Sequence, residues 1–410
     1  MCGYGSGMKR LWYCNPWFDA ALAGPVPERV RAQRAEMELW FVLVAQGGDV
    51  VLCSRPPPGQ WLSFLEQAGF DLPHCRSAMA TADAYHFVPW GWGNDAFDAS
   101  RLAGCSPPPF TEKIIRNVNS RRFSYQLARR NGWGVCGAHL CQSQSALDRV
   151  LEAGMQCPFV VKPEYGNAGR GFVHCIRGSS QVRAKERCRA LLREGMSCVV
   201  VEPWLNRCGD YSVSFTVKGS LPPRDRALYC TITTSGGAFY GVRLPPRGVT
   251  DPTLDPWRKT MLAVASKTAH ALYEAGYRGP ATIDALVAKT PQGDVLVPLL
   301  EINARYAMSR ICRRVQSLLA PDRYVLFRTI ATGRTRLPAT YPLLHEMLRG
   351  SRFDAQTRSG AVVLTPLLLA DGSRPHRTMV FCAARTRHEL DALDAHVTRC
   401  INRPSYGGSP

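Results

Sequence analysis

Two apolar runs, residues 282–288 and 295–302, flank the turn Pro291-Gln292-Gly293-Asp294, and each carries a carboxylate inside it: Asp284 and Glu301. The pattern predicts a β-hairpin. A charged side chain within such a strand is costly unless it is paired or bound to a metal. Alternate residues of a strand share a face, so Glu301, Asn303 and Arg305 are expected to point one way. Two carboxylates and an amide oxygen (Asp284, Glu301, Asn303) form a hard oxygen set of the kind that suits Mg²⁺, with Mn²⁺ as an alternative ion. A plain Glu301–Arg305 salt bridge on an edge strand would leave Asp284 and Asn303 without a role.

A second segment runs Phe159-Val160-Val161-Lys162-Pro163-Glu164-Tyr165-Gly166-Asn167-Ala168-Gly169-Arg170-Gly171-Phe172. An apolar strand delivers Lys162, a loop with three glycines follows, and a further strand is expected after it. Glycines let backbone N–H groups approach a phosphate closely, and lysine adds charge. No Lys-Ser/Thr follows the last glycine, so this is not a Walker A loop. A third segment, Val199-Val200-Val201-Glu202-Pro203-Trp204-Leu205, is an apolar strand that ends in a carboxylate and a proline stop.

Around these segments the chain reads as mixed α/β and α+β. Strands at 8–13, 50–54 and 84–89, with helices at 28–46 and 61–68, predict a parallel sheet in an N-terminal unit, residues 1–110. No GxGxxG follows its first strand, which argues against a dinucleotide site there. Gly104-Cys105-Ser106-Pro107-Pro108-Pro109 marks the boundary. A helical stretch at 111–130 follows, with Asn119 or Ser120 as a cap within it and Gly132 as its stop. Further strands are expected at 159–162, 173–176, 198–202, 212–217 and 228–233, and a helix at 254–275. Near the C-terminus, strands at 361–370 and 377–384 precede a helix at 387–397.

In their order and spacing, the three charged segments resemble the ATP-grasp superfamily over residues 111–315. The resemblance implies a Rossmann-like pre-ATP-grasp unit (1–110) before a two-lobed ATP-grasp domain. Its small lobe would span 111–202 and its large lobe 203–340, with 341–410 completing the large lobe. It implies ATP and Mg²⁺ as cofactors and an ATP-dependent carboxylate–amine ligase that works through an acyl phosphate. By resemblance, Lys162 and Arg121 would bind ATP phosphate, with Arg121 standing where the family usually has a lysine. Gly166, Asn167, Ala168, Gly169 and Gly171 would cover the triphosphate. Glu202, Pro203, Trp204 and Leu205 would read adenine and ribose, and Asp210 would belong to the ribose or metal shell. Asp284, Glu301 and Asn303 would hold the metal, while Arg305, with Lys162, would act in the chemistry. The loops Asn15-Pro16-Trp17 and Pro89-Trp90-Gly91-Trp92-Gly93 would carry exposed tryptophans that shape a substrate pocket, or else form a seam between units.

The formal charge of +19 comes from 43 arginines against 8 lysines, with no long basic block. Such a surface attracts anions: nucleotides, carboxylates, an acidic carrier protein or nucleic acid. The expected partners are a small carboxylate and an amine, peptide-like or from specialised metabolism. A carrier protein or ribosomal peptide is the alternative acceptor, and a nucleic-acid-binding protein is the reading from another class. A homodimer is left open. The 16 cysteines are scattered without a CxxC pair, which points to reduced thiols in a cytoplasmic protein. No apolar run is long enough to predict a membrane span.

Overall fold

The computed structural model describes residues 9–78, 85–152, 158–166, 171–175, 186, 189–192, 196–219 and 223–402. Three sheets organise them. The first is parallel, in the order β3-β2-β1-β4, from β1 (Lys9–Tyr13), β2 (Val50–Leu52), β3 (His74–Arg76) and β4 (Tyr85–Pro89). Residues 28–46 do not form the single helix expected. They break into Glu28–Arg31, Arg34–Glu38 and a 3₁₀ segment, Leu39–Leu43. Every residue from Leu39 to Ala45 is buried, so no solvent-facing stripe remains for an amphipathic helix.

The second sheet is antiparallel, in the order β5-β8-β6-β7, from β5 (His139–Cys141), β6 (Phe159–Pro163), β7 (Val173–Cys175) and β8 (Val199–Pro203). The third has eight antiparallel strands, in the order β13-β12-β9-β10-β11-β14-β16-β15. These are β9 (Arg207–Val217), β10 (Arg224–Thr233), β11 (Phe239–Leu244), β12 (Gly279–Thr290), β13 (Gly293–Asn303), β14 (Tyr324–Ala331), β15 (Gly360–Val363) and β16 (Arg377–Ala384). The hairpin read from the sequence is thus β12–β13, at one edge of the sheet. The strand expected at 361–370 stops at Val363. Leu364 still donates to Met379, but Pro366 has no N–H to extend the ladder.

The helical stretch at 111–130 is two helices, Glu112–Val118 and Arg121–Asn131. Ser120 caps the second, its Oγ accepting the Phe123 N–H at 3.1 Å, and Gly132 ends it at φ +67. Asn119 at the break accepts the Ala304 N–H at 2.9 Å, and Ser124 Oγ accepts the Ile302 N–H at 3.0 Å. These two bonds pin the helix start to the end of β13. The helix expected at 254–275 begins as a 3₁₀ turn, Asp255–Trp257, and continues as Arg258–Glu274. The C-terminal helix runs to Ile401 behind a Thr386–Glu389 capping box. The described cysteines are free thiols, and no helix among the described residues is long and apolar enough to cross a membrane.

Candidate active site

Asp284 and Glu301 are direct cross-strand partners on β12 and β13, and Thr282 pairs with Asn303. Asp284 accepts from Ser212 Oγ at 2.6 Å and from Asn303 Nδ2 at 2.9 Å. Burial, with the Glu301 charge adding to it, pushes the Asp284 carboxyl up to about 6 against the Ser212 hydrogen bond. Ser212 lies opposite Asp284 on β9, and Asp210 lies opposite Leu286, two residues along on the same face. Asp210 is held by Arg207 and accepts from Thr233 Oγ1 at 2.6 Å.

The Glu301–Arg305 salt bridge weighed from the sequence does not form. Glu301 Oε1 is paired with Arg121 at 2.9 Å. Arg305 donates from Nη2 to Asn303 Oδ1 at 3.0 Å, and from Nε to Asp19 Oδ1 at 2.8 Å. Sequence reasoning missed Asp19. Burial raises its carboxyl above the usual range against the pull of Arg305. Among the described residues no group of three or more His, Cys, Asp or Glu side chains is arranged for a metal. The candidate donors are two carboxylates and one amide. A carboxylate facing Asp284 that raises its proton affinity fits a hard divalent cation that keeps several waters.

On the other side of the site, Lys162 of β6 forms an ion pair with Glu202 of the neighbouring β8. Arg121, 4% exposed, donates to the Pro163 carbonyl at 2.6 Å as well as to Glu301. The Phe172 ring lies 5.1 Å from the Arg121 guanidinium and 5.5 Å from the Lys162 ammonium. Gly171 adopts φ +81, a conformation that favours glycine. Asn167, Ala168 and Gly169 lie outside the described residues. A cavity of about 440 Å³ opens beside Arg121 and Glu202, lined also by Tyr125, Val135, Val200, Leu299 and Leu300. Of the expected adenine-reading segment, only Glu202 lines it. Trp204 instead meets His174 edge-on at 4.6 Å and carries Arg207 at 5.3 Å, while Leu205 packs with Val135 and Leu286.

The tryptophans of the N-terminal loops are not exposed pocket walls. Trp17 and Trp90 are buried, and Trp17 Nε1 donates to Asp95 at 2.7 Å. Trp90 packs on Phe41 and Tyr306, and its carbonyl accepts the Tyr306 N–H at 2.7 Å. Trp90 forms a seam that fastens the first sheet to the chain just past Arg305, while the half-buried Trp92 packs with Phe87, Phe97 and Phe110.

No known family profile matches the chain. Its fold is similar to that of N5-carboxyaminoimidazole ribonucleotide synthetase from Thermus thermophilus, with TM-score 0.53, 12% identity, and coverage of 98% of this chain and 100% of the other. It is also similar to the L-amino acid ligase from Bacillus licheniformis, with TM-score 0.51, 12% identity, and coverage of 97% and 99%. The chain shares the fold of these solved ligases. Among curated proteins, the [butirosin acyl-carrier protein]–L-glutamate ligase of Niallia circulans is 21% identical, with 73% of each chain covered. The cavity lies between β8 of the small sheet and β13 of the large one.

Proposed function

We propose that the chain joins a carboxylic acid to an amine at the expense of ATP, by way of an acyl phosphate. The observation that carries this reading is a set of charged contacts that starts at the cavity wall: the ion pairs Lys162–Glu202 and Arg121–Glu301, and the bonded chain Asp284–Asn303–Arg305. Cations and oxygen donors in alternation suit a polyphosphate with its divalent ion. The adenine end of ATP would occupy the cavity, beside the apolar Val200 and Leu300. Lys162 and Arg121 would turn from their carboxylate partners toward phosphate oxygens. Asp284, Glu301 and Asn303 would hold Mg²⁺, which supplies charge neutralisation at the phosphates when bound. Arg305 would steady the transferring phosphoryl group. The substrate carboxylate attacks the γ-phosphorus and ADP leaves. The amine then displaces phosphate from the acyl carbon. We further propose unit boundaries near residues 110, 202 and 340.

A carrier-bound acceptor is the second reading. It is favoured by the carrier protein in the curated relative's name and by the +19 charge, which would attract an acidic partner. The test is a matrix of carboxylates against free amines and a carrier protein whose phosphopantetheine arm bears an aminoacyl group, scored by ADP release and product mass. Carboxylate-dependent ADP release with a mass-confirmed amide supports the reading. Salt-sensitive nucleic-acid binding without any Mg·ATP-induced thermal shift would contradict it.

A further inference from the structure

Among the described carboxylates around the phosphate-side cluster, one oxygen is both buried and without a hydrogen-bond partner. Asp284 holds Ser212 and Asn303, Glu301 holds Arg121, Glu202 holds Lys162, and Asp210 holds Arg207 and Thr233. Asp19 gives only Oδ1 to Arg305, while its Oδ2 is buried with no hydrogen-bond partner. The side chain is 8% exposed. An orphaned buried carboxylate oxygen is costly, and its retention asks for a partner that arrives with a ligand. Asp19 also sits where a ligand would meet the reacting centre. It follows β1 of the parallel sheet, past the strand's C-terminal end, where open α/β sheets bind ligands. The neighbouring Phe18 ring packs tightly on Gly91, where a Cβ would lie 2.4 Å from it. Arg305 lies between it and Asn303, bonded to both.

Building on the ligase reading above, we propose that Asp19 Oδ2 is the acceptor for the amine: it binds the incoming ammonium and takes its first proton. The ammonium gives one proton to Asp19. The freed nitrogen lone pair forms the C–N bond to the acyl carbon, and the C–O bond to phosphate breaks. The leaving phosphate takes the second N–H proton, so that amide and hydrogen phosphate result. Arg305 would thus touch the phosphate on one side and orient the base of the second step on the other. This separates the roles of two neighbouring residues: Arg305 serves phosphoryl transfer, and Asp19 serves aminolysis.

The test compares two nucleophiles on the same acyl phosphate in the full-length protein. Hydroxylamine is uncharged at neutral pH and needs no proton acceptor before it attacks, whereas an amino acid or methylamine arrives as an ammonium. In wild type, carboxylate-dependent hydroxamate formation must first be seen; its absence for every carboxylate in the matrix would remove the ligase reading and this proposal with it. In Asp19→Asn the ratio of hydroxamate to amide rates should rise about a hundredfold, the usual size of a general-base contribution. Asp19→Glu should restore part of the ratio. If both rates fall together in Asp19→Asn while Mg·ATP still shifts its melting temperature, Asp19 only props Arg305 and the proposal is wrong. If neither rate changes, it is equally wrong.

Discussion

The small antiparallel sheet and the β12–β13 hairpin border the same cavity, yet they hold their charges in different ways. On the small sheet, Lys162 and Glu202 form an isolated pair on neighbouring strands. On the hairpin, Asp284, Asn303, Arg305 and Asp19 form a chain of bonds that reaches from the eight-stranded sheet to the first sheet. A lone pair can exchange its partner for a phosphate at small cost to the rest of the fold. A network embedded in a wide sheet is set in place before substrate arrives, as transition-state stabilisation requires. On the proposed reading, binding falls to the small sheet and chemistry to the hairpin, with Arg121 bridging them.

That division predicts a graded series of effects. Glu301→Ala and Asn303→Ala should each lower ligation by about a thousandfold with the fold retained, the upper range for loss of one preorganised electrostatic group. Steady-state turnover at saturating Mg²⁺ checks this, and activity within a few-fold of wild type would break the comparison. Arg305→Lys keeps the charge but loses the planar fork, so kcat should fall about a hundredfold while ATP-analogue affinity by calorimetry changes far less. Equal losses in both would make Arg305 a ground-state binding residue. Lys162→Gln still donates to Glu202 but removes a cation, and should weaken nucleotide binding about tenfold with a smaller change in kcat. A larger loss in kcat than in affinity would reverse the assignment of the two regions.

The smallest effect concerns stability. Because the folded-state pKa of Asp284 is raised to about 6, the fold favours its protonated form. The ionised side chain therefore costs stability above pH 6, and the cost fades below the usual carboxylate range. Asp284→Asn should accordingly melt higher than wild type at pH 7–8, by roughly 1–2 kcal/mol of stability, and match it near pH 4. Mg·ATP should stabilise wild type more than the variant. A variant less stable at both pH values would show that the carboxylate is a structural asset rather than a strained one.

Much of this arrangement was legible in the sequence because it is local. The hairpin, the strand that delivers Lys162 and the strand ending at Glu202 each follow from apolar runs with a charge at a fixed offset. The pairings between them were not legible. Arg121 and Glu301 are 180 residues apart, and Arg305 and Asp19 are 286 apart, so no local pattern joins them. Asp19 followed a loop already noted after the first strand, but Trp17 there drew the functional reading and is buried against Asp95. Ser212 sits in a strand whose alternation was visible, yet its facing residue depended on the β9–β12 register. Strands β3 and β5 have three residues each, too few for a period to show. The Leu39–Leu43 segment is buried throughout, so its apolar run carries no amphipathic period from which its 3₁₀ form could be read.

The central claim is that carboxylate activation proceeds by phosphoryl transfer at the hairpin. It is tested most directly by following heavy oxygen from a doubly labelled carboxylate during ligation. Attack on the γ-phosphorus, followed by displacement of phosphate by the amine, places one labelled oxygen in each inorganic phosphate released and leaves the other in the amide. Mass spectrometry of the phosphate should therefore find one label per product formed. Unlabelled phosphate, or label carried instead on AMP, would contradict the account.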